Sequence, residues 1–512
     1  MFDYRPYVTN LVDLMVGICH VPAALNTRIH GLQMDSRKVR KGDLFLALSG
    51  SRSSSTEHIV EAIRRGANAV VAEGELFHGS VFEDGDAVEL FVDDLKQWVG
   101  IIADRFFHSP SQSLSVIGIT GTNGKTSVAN YLADFLTSDG VTTGIIGTLG
   151  YGIPALGKRA IRPTDHTTPN VVDVHRYLAT LRDKNVQCVA MEVSSHGLEQ
   201  GRVNAVRFEG AVYTNLSREH LDYHGSMQGY FQAKSKLFKR SDLRFAVINN
   251  DDPYADEMKS VLSDGVKLVT YGIDSRADVM ATDIELSSGI SAQVNTPLGK
   301  LNIDSRLMGQ FNLSNLLAVV AVAVAKRRSL PSLKLVNQLL PVEGRMEMLR
   351  APGQPTVVID YAHTPDALKN VLEALKPHCL GRMCVVFGCG GDRDSGKRPE
   401  MAVIAESIAD DVLITDDNAR FEDPEQITND ILKGFTTLAK VNVIHDRKQA
   451  IARALKDASE NDLIVVVGKG HETWQEVRGQ RSYFSDFEEV CRNLGMEEWR
   501  LRNLEERGVA CD

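Results

Sequence analysis

The chain has 512 residues, more than one hydrophobic core usually serves, and its 43% hydrophobic and 24% charged content predict an ordinary globular protein of about two to four domains. The net charge of −10 argues against a nucleic-acid partner, which would need a basic face, but a local pocket can still bind an anionic substrate. The seven cysteines form no CxxC pair and no regular framework, which excludes a zinc ribbon or disulfide scaffold and favours a reducing compartment.

The first predicted elements are two short strands, at 42–48 and 69–73, with a helix between them at 58–67. An apolar strand at 113–120 opens a second stretch, and a glycine-rich turn and a helix at 126–136 follow it. Further buried strands are predicted at 144–149, 187–193, 210–216 and 245–250. From about Pro355 onward strands alternate with helix-length segments, and these strands lie at 356–361, 384–390, 411–415, 441–446 and 462–468.

Continuous apolar strands that alternate with helices predict an α/β fold with mainly parallel sheets and helices on both faces. We place the domain boundaries near residues 111 and 346. This gives three domains, 1–110, 111–345 and 346–512. The N-terminal segment has no basic stretch followed by an apolar one, and no run reaches the roughly 18 apolar residues of a membrane span. We therefore expect a cytoplasmic protein without membrane insertion.

The segment GITGTNGKTS at 118–127 lies between a predicted strand and a predicted helix, where a phosphate-binding loop is expected. In such a loop Lys125 reaches the β- and γ-phosphates of a nucleotide, and the Thr126 hydroxyl ligates Mg²⁺. The general pattern would place its first glycine at Ile119, whereas this chain carries Gly118 one place earlier. A glycine-rich turn that only caps a helix, and a motor or GTPase, are the alternatives at this point.

The form Gly-Thr-Asn-Gly-Lys-Thr is the one that Mur ligases and their folylpolyglutamate synthetase relatives carry. Further segments match the Mur ligases in the same order, and these are DSRKVRKGDLFLAL (35–48), GTNGKTS (121–127), HTTPN (166–170), MEVSSHGLEQGR (191–202), TNLSREHLDYHG (214–225), YFQAKSKLF (230–238), MGQFNLSN (308–315), GRME (344–347), DYAHTPDAL (360–368), FGCGGDRDSGKRP (387–399), DDNAR (416–420) and GKGHE (468–472). The chain therefore resembles the Mur ligases over nearly its whole length. The resemblance implies an N-terminal domain that binds a UDP-linked substrate, a P-loop-type central domain that binds ATP, and a Rossmann-like C-terminal domain that binds an amino acid.

The resemblance also implies an ATP-dependent, Mg²⁺-requiring amide-bond ligase of peptidoglycan precursor synthesis in the cytoplasm. Such an enzyme would add meso-2,6-diaminopimelate to the D-glutamate carboxylate of UDP-N-acetylmuramoyl-L-alanyl-D-glutamate through an acyl phosphate. ATP and Mg²⁺ are the expected cofactors, and the UDP-linked dipeptide and diaminopimelate are the expected small-molecule partners. We expect no nucleic-acid partner and a monomeric protein.

Glu192 lies at the carboxyl end of the predicted strand at 187–193, where ligands gather in open α/β sheets, and is expected to bind Mg²⁺ with Thr126. The alternative is a strand-end carboxylate in solvent. The resemblance assigns two more metal ligands, His220 and Lys234, and implies that Lys234 is carbamylated to N6-carboxylysine. The expected catalytic residues are Lys125, Glu192, His220 and Lys234. The nearest rivals in sequence are His224 for the histidine and Lys236 for the lysine.

The resemblance implies ATP contacts from the phosphate loop and from three residues farther along the chain. The expected ATP-binding residues are Gly121, Thr122, Asn123, Gly124, Lys125, Thr126, Ser127, Asn312, Arg345 and Asp360. Asn312 would face the adenine, while Arg345 and Asp360 would reach ATP from the third domain. The alternatives are a helix N-cap for Asn312 and a strand-end turn residue for Asp360.

Two further sets of residues are implied for the other substrates. The UDP-linked substrate would be bound around Asp35 by Met34, Ser36, Ser51, Arg52, Ser53, Thr167, Thr168, Ser194, Gln200 and Arg202. Diaminopimelate would be bound by Arg393, Asp417, Asn418, Arg420, Gly468 and Glu472. Diaminopimelate-adding members carry Asp-Asn-Pro-Arg where this chain has Ala419 in place of the proline. The arginine is kept as Arg420, and its guanidinium can bind the distal carboxylate of diaminopimelate through two parallel hydrogen bonds. The alternative is that Arg420 pairs with Glu422 or Asp423 on the surface.

Other functions remain to be weighed. The same ligase could add L-lysine, which lacks the distal carboxylate. A folylpolyglutamate synthetase lacks the UDP-binding domain, so the segment at 35–48 counts against it. A P-loop motor or GTPase would need a second acidic strand motif and elements that recognise a base or a nucleic acid. A dehydrogenase fails because the third glycine of its loop would fall on Arg393.

Overall fold

A computed structural model describes residues 7–48, 55–74, 87–155, 158–287 and 289–496. Up to residue 112 the elements are β1 (Thr9–Asn10), α1 (Leu11–Met15), β2 (Arg28–Ile29), β3 (Gly31–Gln33), β4 (Asp43–Ala47), α2 (Ser55–Arg64), β5 (Ala69–Glu73), β6 (Val88–Val92) and α3 (Leu95–Phe106). Short 3₁₀ turns lie at Ala23–Leu25, Ser36–Lys38, Pro110–Gln112, Lys334–Gln338 and Lys376–His378.

The middle of the chain alternates strands and helices. Its elements are β7 (Ser115–Thr120), α4 (Lys125–Ser138), β8 (Thr143–Gly147), β9 (Gly150–Ala155), β10 (Lys158–Arg162), α5 (Val171–Arg182), β11 (Cys188–Glu192), α6 (Ser195–Glu199), β12 (Gly210–Tyr213), α7 (Leu221–His224), α8 (Met227–Ser235), β13 (Phe245–Asn249), α9 (Ala255–Ser260), β14 (Lys267–Gly272), β15 (Val279–Glu285), β16 (Ile290–Thr296), β17 (Gly299–Ser305), α10 (Gln310–Ala325), α11 (Leu330–Leu333) and β18 (Glu347–Leu349).

The last part of the chain continues this alternation. Its elements are β19 (Thr356–Asp360), α12 (Pro365–Leu375), β20 (Met383–Phe387), α13 (Lys397–Ile408), β21 (Asp411–Ile414), α14 (Pro424–Leu432), β22 (Val441–Val443), α15 (Arg447–Asp457), β23 (Leu463–Val467), β24 (Trp474–Val477), β25 (Gln480–Tyr483) and α16 (Asp486–Asn493).

The chain divides into two compact units. The first comprises 1–118, 141–153 and 161–210, and the second comprises 119–140, 154–160 and 211–512. This division cuts the chain at other places than the predicted boundaries near 111 and 346, so the three-domain division stays a prediction. In the parts of the chain that the structure describes, no helix is long and apolar enough to cross a membrane.

The first unit contains a parallel sheet of order β3-β4-β5-β6 and a second set of strands of order β9-β8-β11-β7. Strands β8 and β11 are parallel, and every residue of both is buried. Continuous apolar strands of this kind require cover on both faces. Because β8 and β11 run side by side, the loops that follow Gly147 and Glu192 leave the same edge.

The second unit contains the strands β12-β13-β14-β15-β16-β17 and a six-stranded sheet of order β18-β19-β23-β20-β21-β22. In the six-stranded sheet only the pairing of β18 with β19 is antiparallel. Helices α12, α13 and α14 pack on one face of it, and α15 and α16 pack on the other. The predicted α/β class with mainly parallel sheets is confirmed.

Strands β15, β16 and β17 form an antiparallel meander that the sequence analysis did not predict. Along β16 and β17 most buried residues are separated by exposed or half-buried ones, because only one face of these strands packs on the core. Their sequences ISAQVNT and GKLNIDS lack the continuous apolar runs on which the other strand predictions depend.

Candidate active site

The loop after β7 has the form of a phosphate-binding loop. Gly124 precedes α4 with a φ of 84°, and no side chain caps the N-terminus of the helix that begins at Lys125. The first N–H groups of an α-helix have no partner within the helix, and the helix dipole favours an anion at that end. The start of α4 therefore offers backbone donors to phosphate oxygens.

The segment Thr214–Ser217, which follows β12, holds this loop in shape. The backbone N–H of Thr122 donates to the Asn215 carbonyl oxygen (2.9 Å), and that of Asn123 donates to the Asn215 side-chain oxygen (2.8 Å). The Thr214 hydroxyl donates to the Asn123 carbonyl oxygen (2.6 Å). Because Thr122 and Asn123 use their N–H groups to hold the loop, the phosphate donors are expected at the start of α4.

Two lysines meet at the same carbonyl oxygen. The Nζ of Lys125 donates to the carbonyl oxygens of Gly121 (2.9 Å) and Thr122 (2.8 Å). The Nζ of Lys234 also donates to Gly121 O, at 2.7 Å, and lies 4.3 Å from the centre of the Tyr230 ring. Lys234 is buried, whereas its sequence rival Lys236 is exposed. Burial, and then the charge of Lys125, lower the pKa of Lys234 well below its usual value.

His220 lies at the start of α7 in a left-handed conformation (φ 56°), with its Nε2 3.6 Å from Oε2 of Glu219. Glu219 is buried, and its Oε1 lies 2.9 Å from Nε2 of His363. Burial alone would raise the pKa of Glu219, but His220, His363 and Lys397 together lower it well below its usual range. The sequence analysis missed Glu219 and His363. Their only signals were the position of Glu219 beside His220 and of His363 in the DYAHTPDAL segment.

Arg345 lies beside the phosphate loop. Its Nη2 donates to the Thr126 hydroxyl (3.3 Å), and its guanidinium carbon lies 4.2 Å from the centre of the Tyr361 ring. Its Nη1 is buried and has no hydrogen-bond partner within the described residues. A buried N–H group without an acceptor is unfavourable until one binds, and a phosphate oxygen is such an acceptor. The arrangement therefore fits a phosphate group of ATP.

Asp360 and Asn312 are both buried. Asp360 ends β19 and accepts hydrogen bonds from the N–H groups of Met346 and Ala362, both at 2.7 Å. Burial raises the pKa of Asp360. Asn312 is not the N-cap of α10, because Gly309 holds that position. Its side-chain oxygen instead accepts from the Tyr131 hydroxyl of α4, at 3.3 Å. Ser127, the remaining residue predicted to bind ATP, is buried in the first turn of α4.

Glu192 belongs to the first unit, at the end of β11. It is buried rather than in solvent, and its side-chain oxygens accept from the N–H (2.8 Å) and the hydroxyl (3.0 Å) of Thr148. The Thr168 hydroxyl donates to the Glu192 carbonyl oxygen (2.9 Å) and accepts from the Ser194 N–H (2.9 Å). The Thr167 hydroxyl lies 3.0 Å from that of Thr148. The predicted metal ligand and three predicted substrate contacts therefore form one cluster.

Arg202 and Gln200 belong to the same cluster. The guanidinium of Arg202 donates to Thr168 O (2.8 Å) and twice to Oε1 of Gln200 (2.9 and 2.6 Å). Of the residues predicted near the uridine, Ser36 is buried and its hydroxyl donates to Glu61 of α2 (2.6 Å). Met34, two positions earlier in the sequence, is half-buried. Asp35 caps the 3₁₀ turn that begins at Ser36. Ser51, Arg52 and Ser53 lie outside the described residues.

Among the residues that the structure describes, no group of three or more His, Cys, Asp and Glu side chains is arranged to hold a metal ion. The predicted ligand set contains only two residues of those types, Glu192 and His220. Its other members, Thr126 and Lys234, carry a hydroxyl and an amine. A lysine amine is not a ligand that Mg²⁺ prefers. A complete set therefore depends on the chemical state of Lys234.

The predicted amino-acid pocket lies at the carboxyl ends of parallel strands of the six-stranded sheet. Arg393 follows β20, Asp417 to Arg420 follow β21, and Gly468 to Glu472 follow β23. Neighbouring strands β20, β21 and β23 run parallel, so these loops leave the same edge. The side chain of Asn418 donates to Oε2 of Glu472 (2.9 Å). Gly468 has a positive φ of 111°, which favours glycine, and a Cβ added there would lie 2.8 Å from Oδ2 of Asp417.

The Arg420 side chain is half-buried at this edge of the sheet. Its Nη1 donates to the Gly391 carbonyl oxygen (2.6 Å), and burial, followed by the charge of Arg393, lowers its pKa. The two acidic residues suggested as surface partners are engaged elsewhere. Glu422 pairs with Arg398 (2.8 Å), and Asp423 caps α14. The charge of Arg393, an exposed residue, disfavours the charged form of Arg420, whereas the carboxylates of Asp417, Glu472 and Glu476 favour it.

Three family models match the chain. The Mur ligase family catalytic domain matches residues 28–107, the Mur ligase middle domain matches 119–323, and the Mur ligase glutamate ligase domain matches 344–470. The chain belongs to the Mur ligase family, a family of ATP-dependent amide-bond ligases. This assignment is incompatible with a motor, a GTPase or a dehydrogenase.

Several similar proteins within the family carry the same name. A UDP-N-acetylmuramoyl-L-alanyl-D-glutamate–2,6-diaminopimelate ligase of Ectopseudomonas mendocina is 48% identical over 91% of this chain and 95% of its own length. The ligase of the same name from Pseudomonas syringae pv. tomato is 46% identical over the same shares. A solved structure of a ligase of this name superposes with a TM-score of 0.67 at 35% identity, over 96% of this chain and 99% of that one.

We predict that Gly124→Ala weakens ATP binding at least about tenfold, roughly 1.4 kcal/mol. A Cβ at this position would lie 2.6 Å from the side-chain oxygen of buried Asn315, so either the Asn315 side chain or the start of α4 must shift. Gly140→Ala is the matched control, because Gly140 has nearly the same φ (81°) and no atom within 4 Å of an added Cβ. Calorimetric titration of both variants with ATP measures the difference. Equal affinities would show that the shape of this loop does not matter for the nucleotide.

Proposed function

We propose that this chain uses ATP to add meso-2,6-diaminopimelate to the D-glutamate carboxylate of UDP-N-acetylmuramoyl-L-alanyl-D-glutamate. The names of its relatives support this proposal, as does the pocket at the ends of β20, β21 and β23. That pocket combines two cations, Arg393 and Arg420, with the carboxylate of Glu472. The distal end of diaminopimelate carries a carboxylate and an ammonium on one carbon, and this pocket offers a partner for each.

The reaction needs two steps in a site that excludes water. The substrate carboxylate attacks the γ-phosphate and ADP leaves, which gives the acyl phosphate. The amine of the incoming amino acid then displaces phosphate and loses a proton to form the amide. Lys125 and the N–H groups at the start of α4 bind the phosphates, and Arg345 neutralises the charge that develops on the transferring group. Since water would hydrolyse the acyl phosphate, the contact of Arg345 with Thr126 supports a role in closing the site.

Thr126, Glu192, His220 and Lys234 are the residues proposed to hold Mg²⁺. Once Lys234 carries a carbamate, three of the four would offer oxygen, the ligand atom that Mg²⁺ prefers: the Thr126 hydroxyl, the Glu192 carboxylate and the carbamate. The unprotonated form of an amine is the one that reacts with CO₂, and the burial of Lys234 favours that form. Bound Mg²⁺ would neutralise charge on the phosphates.

Thr167, Thr168, Ser194, Gln200 and Arg202 are proposed to bind the sugar and the dipeptide of the substrate. Their hydrogen-bonded cluster in the first unit supports this, since it joins them to Glu192. We propose in addition that Met34, Ser36 and the segment 51–53 bind the uridine end. The predicted domains 1–110, 111–345 and 346–512 would then supply most of the contacts to the uridine end, to ATP and to the amino acid, in that order.

Two related functions compete with this proposal. A ligase for L-lysine would not need the second guanidinium, and the conjunction of Arg393 and Arg420 counts against it. A folylpolyglutamate synthetase is disfavoured by identities of 46–48% that extend over 91% of the chain, including its N-terminal part. The six cysteines in the described residues are free thiols, which supports our proposal of a cytoplasmic protein. We propose that it acts as a monomer.

An omission experiment tests the function. We expect phosphate release from ATP only when both the UDP-linked dipeptide and diaminopimelate are present, because the amine must consume the acyl phosphate for turnover to continue. A mixture with the dipeptide and no amino acid is the internal control. Continuous ATP hydrolysis without the amino acid, or amidation of a folate substrate, would contradict the proposal.

We predict that Lys234→Ala is nearly inactive and that small carboxylates such as acetate partly restore its activity. The added carboxylate would replace the oxygens of the carbamate in the space that the side chain leaves. Lys236→Ala is the matched control and should retain wild-type turnover, because that side chain is exposed. Full activity of Lys234→Ala without any carboxylate would show that the lysine is not needed as a ligand.

We predict that the wild-type protein strongly prefers diaminopimelate to L-lysine and that Arg420→Ala loses most of this preference. Loss of one charged hydrogen-bonding partner costs roughly 1.5–3 kcal/mol, about ten- to a hundredfold in kcat/KM for diaminopimelate. The control is Arg453→Ala, which removes an exposed arginine paired with Asp457. The ratio of kcat/KM for the two amino acids decides the matter. Equal use of lysine by the wild type would refute diaminopimelate as the specific substrate. An unchanged ratio in the variant would refute the role of Arg420.

A further inference from the structure

Lys469 is a buried cation inside the proposed amino-acid pocket, and no substrate contact has been assigned to it. Its side chain is fully buried, and its Nζ donates to Oε2 of Glu472 (3.0 Å) and to the side-chain oxygen of Asn418 (3.3 Å). Oδ1 of Asp417 lies 4.0 Å from the same Nζ. One ammonium group therefore contacts three of the residues proposed to bind diaminopimelate.

The backbone and a neighbouring ring fix the position of this ammonium. The N–H of Glu472 donates to the Lys469 carbonyl oxygen (2.9 Å), so the two residues belong to one tight turn after β23. The ring of Trp474 lies 5.4 Å from Nζ and covers it on one side. A lysine held in this way keeps a single position, which a solvated lysine on a flexible stem does not.

Two carboxylates share this cation. Burial alone would raise the pKa of Asp417, but Lys469, followed by Arg447, lowers it. Oε2 of Glu472 is used twice, by Lys469 and by the amide of Asn418 (2.9 Å). Glu472 is only partly buried, so its other oxygen, Oε1, is the one left for a ligand.

We infer that Lys469 is a positioning residue of the amino-acid pocket. It holds Oε2 of Glu472 and the amide of Asn418 so that Oε1 of Glu472 is presented to the ammonium of diaminopimelate. This inference rests on the proposed function and adds to it. Without Lys469 the Glu472 side chain could turn, and two carboxylates would repel each other in the pocket before any substrate binds.

Steady-state kinetics of Lys469→Met test the inference. We expect the KM for diaminopimelate to rise about tenfold or more, while the KM values for ATP and the UDP-linked dipeptide stay within about twofold. Lys376→Met is the matched control, since Lys376 pairs with Asp410 on the surface and its loss should leave all three KM values unchanged. A purely structural role would instead lower kcat or change all three KM values together.

A double-mutant cycle with Glu472→Gln shows whether Lys469 acts through Glu472. We expect Glu472→Gln to raise the KM for diaminopimelate about tenfold in the wild type and much less in the Lys469→Met protein, because residues that act as one unit are not additive. Fully multiplicative effects would overturn the inference, as would an unchanged KM in Lys469→Met. Lys469→Gln keeps an N–H donor and carries the same test if the methionine variant does not fold. If neither Lys469→Met nor Lys469→Gln folds, Lys469 is needed for folding and the inference is overturned.

The same data separate this inference from the proposed function. If the wild type turns over diaminopimelate and the Lys469 variants keep its KM, only the role of Lys469 fails. If the wild type neither binds diaminopimelate by calorimetry nor turns it over, the proposed function fails, and the role of Lys469 fails with it.

Discussion

The carboxyl ends of parallel strands meet at one edge of a sheet, and the candidate site depends on this constraint. β20, β21 and β23 are neighbours, so loops that are far apart in sequence leave the sheet side by side. In this way Asn418 and Glu472 come within hydrogen-bonding distance although 54 positions separate them. In the first unit, β8 and β11 likewise bring Thr148 to Glu192. Antiparallel strands would send alternate loops to opposite edges.

Buried charge is the second constraint, and the molecule satisfies it by pairing. Arg447 is fully buried and makes two hydrogen bonds to Asp486, at 2.7 and 2.8 Å, and one to the Val467 carbonyl oxygen. Val467 ends β23, directly before the loop that carries Lys469. A buried pair of this kind adds little net stability, because desolvation offsets much of the attraction, but it has one favourable geometry. The pair therefore fixes the end of the strand from which the pocket loop starts.

Much of this arrangement follows from local sequence. The apolar runs at 69–73 and 245–250 match strands to within one residue, because a strand buried on both faces must be apolar throughout. The phosphate-loop pattern can likewise be recognised from contiguous residues. Side chains that depend on distant partners could not be predicted, such as Glu219, which lies 2.9 Å from His363 and 144 positions away. The segment 230–238 identifies Lys234 by its resemblance, but the carbonyl oxygen that this lysine meets belongs to Gly121, 113 positions away.

The loss of the family proline at Ala419 shows how the fold can replace a local restraint. Proline would fix one backbone angle of the loop before any ligand binds. Here hydrogen bonds on both sides of Ala419 restrain the loop. Gly391 N–H donates to the Asn418 carbonyl oxygen (2.9 Å), and Arg420 N–H donates to that of Glu476 (3.0 Å). The Ala419 side chain itself is buried in the core of the six-stranded sheet. Since these contacts already define the backbone that carries Arg420, we propose that the charge of the pocket, and not the missing ring, determines which amino acid fits.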